Sequence, residues 1–311
     1  MKRFSLYVRV LVLFLVSFLV YSCSNQTNLI NEDIENFLAQ SVIKSEFQNE
    51  SQLLIPVDVI ILAGQSNATG SASYNEELRS FVSSEDFDLF NNGFENINII
   101  ALTDWSMSGW QSNLINFTKV KFGQGANDSM FGPEIGIAYS IKNELNRNVV
   151  LIKYTSPGNY IDFFLEDKNI SYGFSSFVKL SLQILKNKGY LPAVKALCWM
   201  QGESDSIKYN TAMEYIKKQR NLVDSIRKEF GENIVFVDAP VTDWDLVCPV
   251  NFQTIVNDAK KKISSDSENN YLVNSQGLKK NPNDLCHYDA KSEFELGLRM
   301  GKFLVDSKVF Q

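Results

Sequence analysis

Apolar and polar residues along the chain alternate between short, nearly continuous apolar runs and longer segments with helical spacing. Five apolar runs rich in β-branched residues have the character of strands buried on both faces. They are VDVIILA (57–63), INIIAL (97–102), NVVLIKYT (148–155), AVKALCWM (193–200) and NIVFVDA (233–239). Helical spacing covers residues 132–146, 174–189, 206–231 and about 290–306. This alternation predicts an α/β fold, a three-layer α/β/α sandwich whose central parallel sheet has about five strands.

The first 22 residues have the pattern of an export signal. Three basic residues lie among the first nine, and the apolar stretch that follows is long enough for a signal-peptide core but too short for a comfortable membrane span. The stretch ends in VYSC (20–23), which resembles a bacterial lipobox. The resemblance implies cleavage before Cys23 and lipidation of that residue. An ordinary signal peptide or a single anchor helix is the alternative.

The N-terminal pattern divides the chain into three parts. Residues 1–22 are predicted to be a lipoprotein signal peptide, 23–50 a polar tether, and 51–311 the folded domain. Several acyl chains on one cysteine hold a protein firmly on a membrane. We therefore expect a lipid-anchored protein of the bacterial cell envelope, with the outer membrane or the cell surface favoured over the inner membrane.

Composition excludes several classes of function. The formal net charge is −6, and the sequence shows no basic patch of the kind that nucleic-acid binding needs. His287 is the single histidine, whereas a zinc hydrolase needs a cluster of ligands, so no zinc site is expected. Beyond Cys23 the cysteines are Cys198, Cys248 and Cys286, and their spacing does not identify a disulfide pair.

Polar clusters follow the predicted strands where ligands bind in parallel α/β sheets, beyond the carboxyl ends of the strands. They are GQSN (64–67), SPGN (156–159) and QGESD (201–205), and NDLCHYD (283–289) precedes the last helix. Ser66 on its own is far more typical of a turn or a helix cap than of a nucleophile. Asp284, three residues before His287, can fix the tautomer of an imidazole that takes a proton from a serine. The alternative is a surface histidine near a helix.

Four motifs in order, GQSN (64–67), GPEIG (132–136), WMQGES (199–204) and DLCH (284–287), resemble those of the SGNH hydrolases. The closer resemblance is to the sialate O-acetylesterase and acetylxylan esterase branch, carbohydrate esterase family six. It implies a serine esterase, without a cofactor, that removes acetyl groups from sugars such as sialic acid or xylan.

Site roles follow from the resemblance, position by position. It makes Ser66 the nucleophile, His287 the general base and acid, and Asp284 the residue that orients His287. It assigns the oxyanion hole to the backbone N–H of Ser66, a glycine N–H and the side-chain amide of Gln201. Gly132 is the first choice for that glycine.

Some assignments stay open at this point. Gly158 is the alternative glycine, and Asn127 in GAND (125–128) is the alternative to Gln201. The expected substrate contacts are Gln65, Asn67, Gly158, Glu203, Trp105 and Trp110. The tryptophans, expected in a loop after the second strand, would stack on a sugar ring or cover the edge of the core. Glu203 would contact substrate or buttress the loop of Gln201.

Two other functions fit the same fold. A sugar-binding lipoprotein without turnover would keep the pocket, but it has no need of Ser66, Asp284 and His287 together. An SGNH esterase acting on lipid esters would keep all three residues and change the substrate. The expected partners are an acetylated carbohydrate and, through Cys23, a membrane, with no nucleic acid; the sequence does not fix the oligomeric state.

Overall fold

The computed structural model describes residues 54–105, 110–145, 147–165, 173–241, 252–284 and 286–310. The predicted signal peptide, the tether, Cys23 and Cys248 lie outside these ranges. Among the described residues, no helix is both long enough and apolar enough to cross a membrane.

Seven strands of the described chain form one sheet. They are β1 (Ile55–Gly64), β2 (Ile97–Trp105), β3 (Trp110–Lys119), β4 (Val149–Thr155), β5 (Tyr190–Met200), β6 (Val235–Asp238) and β7 (Asn270–Leu272). Their order across the sheet is β3-β2-β4-β1-β5-β6-β7. All neighbours pair in parallel except β2 and β3, which form an antiparallel pair at one edge. β1 therefore lies inside the sheet, between β4 and β5.

The predicted α/β fold with a central, mainly parallel sheet is confirmed, but the predicted number of strands is wrong. The five apolar runs correspond to β1, β2, β4, β5 and β6. The two strands that were missed lie at the edges of the sheet. Six of the ten residues of β3 are polar, and β7 has only three residues. Edge strands are short or polar in many proteins because their free sides face solvent, so they lack the continuous apolar run of an inner strand.

Nine helices and one 3₁₀ turn connect the described strands. They are α1 (Ser66–Thr69), α2 (Asn75–Leu78), α3 (Ser84–Asn92), α4 (Glu134–Ile141), α5 (Asp162–Leu165), α6 (Phe174–Asn187), α7 (Tyr209–Phe230), α8 (Gln253–Ile263) and α9 (Ala290–Asp306), with the 3₁₀ turn at Asp205–Ile207. The four predicted helical segments correspond to α4, α6, α7 and α9. α4 ends five residues earlier than expected, where the sequence becomes polar.

Helices cover both faces of the sheet, which gives the three layers. On one face, Leu151 of β4 belongs to a buried cluster with Ile137 of α4 and Leu296 of α9. On the other face, the ring of Tyr154, three residues further along β4, lies 5.5 Å from the ring of Phe174 of α6. Successive strand residues point to opposite faces, so one strand contributes to both halves of the core.

α4 and α9 approach each other closely through glycines. A Cβ atom at Gly136 would lie 2.2 Å from Phe294 O, and one at Gly297 would lie 2.3 Å from Pro133 O. The contact fixes α9 against the helix that follows the GPE motif. Because His287 lies three residues before the start of α9, the same contact helps to fix the loop that carries the histidine.

Gly136→Ala should lower the free energy of unfolding by about 1–3 kcal/mol, because the added methyl group forces α4 and α9 apart. The gain in helix propensity, about 1 kcal/mol at most, is smaller than this cost. Urea denaturation of the purified protein measures the difference. Lys302→Ala, at an exposed position of α9, is the control and should change stability by less than about 0.5 kcal/mol. An unchanged or higher stability of Gly136→Ala would contradict the close contact.

Candidate active site

The polar motifs after β1, β4 and β5 meet at one edge of the sheet. Backbone hydrogen bonds continue past the strand ends: Ser156 N donates to Gly64 O at 2.8 Å, and Gln65 N donates to Met200 O at 2.9 Å. The loops that start after β4 and β5 therefore flank Ser66 on its two sides.

Ser66 begins α1 directly after a turn that requires glycine. Gly64 has a φ of +148°, and a Cβ atom there would lie 1.9 Å from Met200 O. Ser66 is partly exposed, whereas Gln65 and Asn67 on either side are buried. A sharp turn thus delivers an accessible hydroxyl at the carboxyl end of a buried strand, which is the placement that a nucleophile needs.

Gln65 fastens the Ser66 turn to the loop after β5. Its Oε1 atom accepts hydrogen bonds from Gly202 N at 3.4 Å and from Ser204 N at 3.3 Å. The side chain is 2% exposed. The oxygen of Gln65 is therefore buried and occupied by backbone donors, and the expected contact of Gln65 with substrate stays a prediction.

Asn67 connects the serine turn to the loop that carries His287. Its Nδ2 atom donates to Glu203 Oε1 at 2.7 Å, and its Oδ1 atom accepts from Tyr288 N at 3.3 Å. The residue after Ser66 is thus bonded to the residue after His287. Asn67 and Glu203 are both buried, and their expected contacts with substrate stay predictions. The contact with Asn67 agrees with the second interpretation of Glu203, a residue that supports a loop.

His287 and Asp284 form a hydrogen-bonded pair. His287 Nδ1 lies 2.8 Å from Asp284 Oδ2, and Cys286 N donates to Asp284 Oδ1 at 2.8 Å. Partial burial would raise the pKa of Asp284, but the hydrogen bonds from His287 and the Cys286 amide outweigh it and hold the pKa below its ordinary value. An ionised carboxylate only accepts hydrogen bonds, so Nδ1 carries the hydrogen and Nε2 is left to accept a proton.

The N–H of Gly132, the first choice for the oxyanion donor, already has an acceptor in this structure. Its N–H donates to Glu134 Oε1 at 2.8 Å, and Glu134 Oε2 lies 2.7 Å from Lys153 Nζ in a fully buried ion pair. Lys153 also donates to Thr69 O at 3.0 Å and to Gln124 O at 2.8 Å. The GPE motif therefore supports the C-terminal end of α1 instead of facing a substrate.

Gln201, expected in the oxyanion hole, uses both of its amide hydrogens within the protein in this structure. Its Nε2 atom donates one hydrogen to Asp205 Oδ2 at 2.6 Å and the other to Asn159 O at 3.1 Å. The alternative glycine, Gly158, is exposed with a φ of +74°. Its N–H has no acceptor among the described residues, and neither does that of Ser66, the first residue of α1.

The two tryptophans lie elsewhere than predicted, and the buried ion pair of Lys153 was not predicted. Trp105 and Trp110 are not in a loop, because they are the facing end residues of β2 and β3; their side chains are not among those described. A lysine inside the apolar run NVVLIKYT was the signal for a buried ion pair.

Cys198 and Cys286 are not joined to each other. Within the described ranges, no group of three or more His, Cys, Asp or Glu side chains is arranged to hold a metal ion.

Comparisons with known proteins agree with this architecture. A protein-family model described as "Carbohydrate esterase, sialic acid-specific acetylesterase" matches residues 56–306. No curated protein matches the chain by sequence. Several solved structures match it in fold.

A protein from Arabidopsis thaliana is 18% identical, over 81% of this chain and 98% of that one, with a TM-score of 0.57. NanS is 12% identical, over 82% and 98%, with a TM-score of 0.56. A carbohydrate acetylesterase from Xanthomonas citri is 13% identical, over 81% and 56%, with a TM-score of 0.57. At such identities the likeness shows the fold.

The family match begins in β1, ends with the last residue of α9 and includes every motif at the site. The chain therefore belongs to the sialic acid-specific acetylesterase family of carbohydrate esterases.

Proposed function

We propose that the protein is a serine esterase that removes acetyl groups from a carbohydrate, with Ser66, His287 and Asp284 as its catalytic residues. The contact between His287 Nδ1 and Asp284 Oδ2 at 2.8 Å, on a loop that Asn67 bonds to the Ser66 turn, carries the proposal. Membership of an acetylesterase family supports the reaction. The substrate is an acetylated sugar of the sialic acid or xylan type.

The reaction has two steps. Ser66 Oγ attacks the carbonyl carbon of the acetyl ester while His287 Nε2 takes the serine proton. The negative charge of Asp284 stabilises the imidazolium that forms. The oxygen of the sugar takes this proton and leaves, and an acetyl group remains on Ser66. Water, deprotonated by His287, then attacks the acetyl-serine, and acetate is released with the serine restored.

The backbone N–H groups of Ser66 and Gly158 are the proposed donors to the oxyanion. Both lie just beyond neighbouring strand ends, since β1 and β4 pair up to Gly64 and Thr155. Gly158 lacks a Cβ atom and is exposed, so a carbonyl oxygen can approach its backbone. Gln201 supports this side of the site through its bond to Asn159 O.

Ser66→Ala should abolish ester hydrolysis without unfolding the protein. Losses in enzymes with a catalytic triad reach about 10⁴–10⁶ in kcat. Hydrolysis of p-nitrophenyl acetate and acetate release from acetylated sialic acid and acetylated xylan measure the effect. A variant that keeps more than about a tenth of the wild-type rate, after subtraction of background hydrolysis, would exclude Ser66 as the nucleophile. If the wild-type protein binds sugar without hydrolysing its esters, it is the sugar-binding lipoprotein of the alternative. If it hydrolyses esters of long acyl chains faster than acetyl esters, it is a lipid esterase.

Asp284→Asn should lower kcat by about 10²–10⁴, because a neutral amide neither stabilises the imidazolium nor enforces the correct tautomer. The matched control is Asp289→Asn, five residues further on. Asp289 Oδ1 accepts from Ser292 N at 2.7 Å and caps α9, and asparagine caps a helix equally well. Kinetics and circular dichroism of both variants are the measurement. A damaging Asp289→Asn beside a silent Asp284→Asn would mean that the wrong carboxylate has been assigned.

We also propose that Cys23 is the lipidated N-terminus of the mature protein, which anchors it in the bacterial cell envelope, with the outer membrane or the cell surface favoured. The lipobox-like VYSC after an apolar stretch supports this. Mass spectrometry of the native protein should show acyl chains on Cys23, and Cys23→Ser should move the protein to the soluble fraction. An unmodified N-terminus at any other residue would rule out the anchor.

A further inference from the structure

Asp205 is a buried carboxylate that joins two loops beside the proposed nucleophile. Its Oδ2 atom accepts hydrogen bonds from Gln201 Nε2 at 2.6 Å and from Ile161 N at 2.9 Å. Gln201 also donates to Asn159 O at 3.1 Å. One carboxylate oxygen and one amide group thus fasten the backbone of loop 156–161 at two points.

The loop fastened in this way carries a proposed oxyanion donor. It begins at the end of β4, where Ser156 N donates to Gly64 O of the neighbouring β1. Gly158 lies at its exposed turn, and Asn159 and Ile161, the two fastened residues, follow directly. The direction of the Gly158 N–H therefore depends on bonds that originate on the opposite side of β1, in the loop after β5.

The surroundings of Asp205 disfavour the ionised form of its carboxyl group. The residue is 0% exposed, and Oδ1 has no hydrogen-bond partner among the described residues. Burial raises the pKa of Asp205 to about 6, although the bonds from Gln201 and Ile161 and the nearby Lys218 oppose the rise; Asp162 adds to it. Buried acids with strongly displaced pKa values concentrate at functional sites.

We propose that Asp205 is a positioning residue of the ester-hydrolysis site, whose Oδ2 atom fixes Gln201 and loop 156–161 so that Gly158 N–H faces the reacting carbonyl oxygen. The inference rests on the proposed function. Asp205 does not touch the reacting atoms, and it acts through the arrangement of the oxyanion side. Its effect therefore falls on kcat, because the oxyanion exists only after attack.

The two hydrogen bonds converge on one oxygen, and this allows a sharp pair of variants. In Asp205→Asn the amide oxygen can take the position of Oδ2 and keep both bonds, so kcat should stay within about threefold of wild type, since neutral acceptors are only somewhat weaker. Asp205→Ala removes both bonds and should lower kcat by about 10²-fold, the loss expected for one oxyanion donor, with a much smaller change in KM. Asp162→Ala, which removes a neighbouring, half-exposed carboxylate, is the control and should keep the wild-type kcat.

The measurement is kcat and KM for p-nitrophenyl acetate, with folding checked by circular dichroism. If Asp205→Ala does not fold, Asp205→Leu replaces it, because an apolar side chain of similar size fills the buried position without an acceptor. A folded Ala or Leu variant with the wild-type kcat would overturn the proposal, and so would an Asn variant as damaged as the Ala variant. Rescue of kcat by asparagine, with KM little changed, would support it.

The proposed function is tested separately on the wild-type protein. A fluorophosphonate probe should label Ser66, and peptide mass spectrometry should locate the label. Labelling together with ester hydrolysis supports the proposed function whatever the Asp205 variants do. A wild-type protein with neither would overturn both proposals, whereas an active wild type with an unaffected Asp205→Ala would overturn the positioning role alone.

Discussion

The position of β1 inside the sheet determines where the other candidate site residues lie. Parallel strands end at the same edge, and β1 has parallel neighbours on both sides. The loops after β4 and β5 therefore leave the sheet on either side of Ser66, one with Gly158 and the other with Gln201. At an edge strand the same serine would have such a loop on one side only.

The amides on either side of Ser66 hold the loops around it. A buried amide needs hydrogen-bond partners, and it offers a donor and an acceptor at once. Asn67 uses both, since it donates to Glu203 and accepts from Tyr288 N. An aliphatic residue there would leave a buried carboxylate oxygen and a backbone N–H without a partner and would disconnect the histidine loop. Ser66 thus lies between two amide side chains whose hydrogen bonds hold the neighbouring loops in place.

Much of this arrangement could be predicted from the sequence, and the remainder depends on contacts that the sequence does not specify. Inner strands were visible as continuous apolar runs, whereas β3 and β7 were not, because edge strands lack that pattern. The DLCH spacing predicted that Asp284 can form a hydrogen bond with His287, and the two side chains lie 2.8 Å apart. For Gly132 the motif gives the residue but not its hydrogen-bond partner, and Glu134, two residues on, accepts from that N–H in the structure.

The direction of β1 also sets the geometry of access. The described chain joins the sheet at Ile55, and Ser66 follows the opposite end of a ten-residue strand, about 30 Å away at about 3.3 Å per residue. The backbone therefore enters β1 about one strand length from the serine. Because the strand enters at the opposite edge of the sheet, access to Ser66 is set by the loops that follow β1, β4 and β5 and not by the segment that leads into β1.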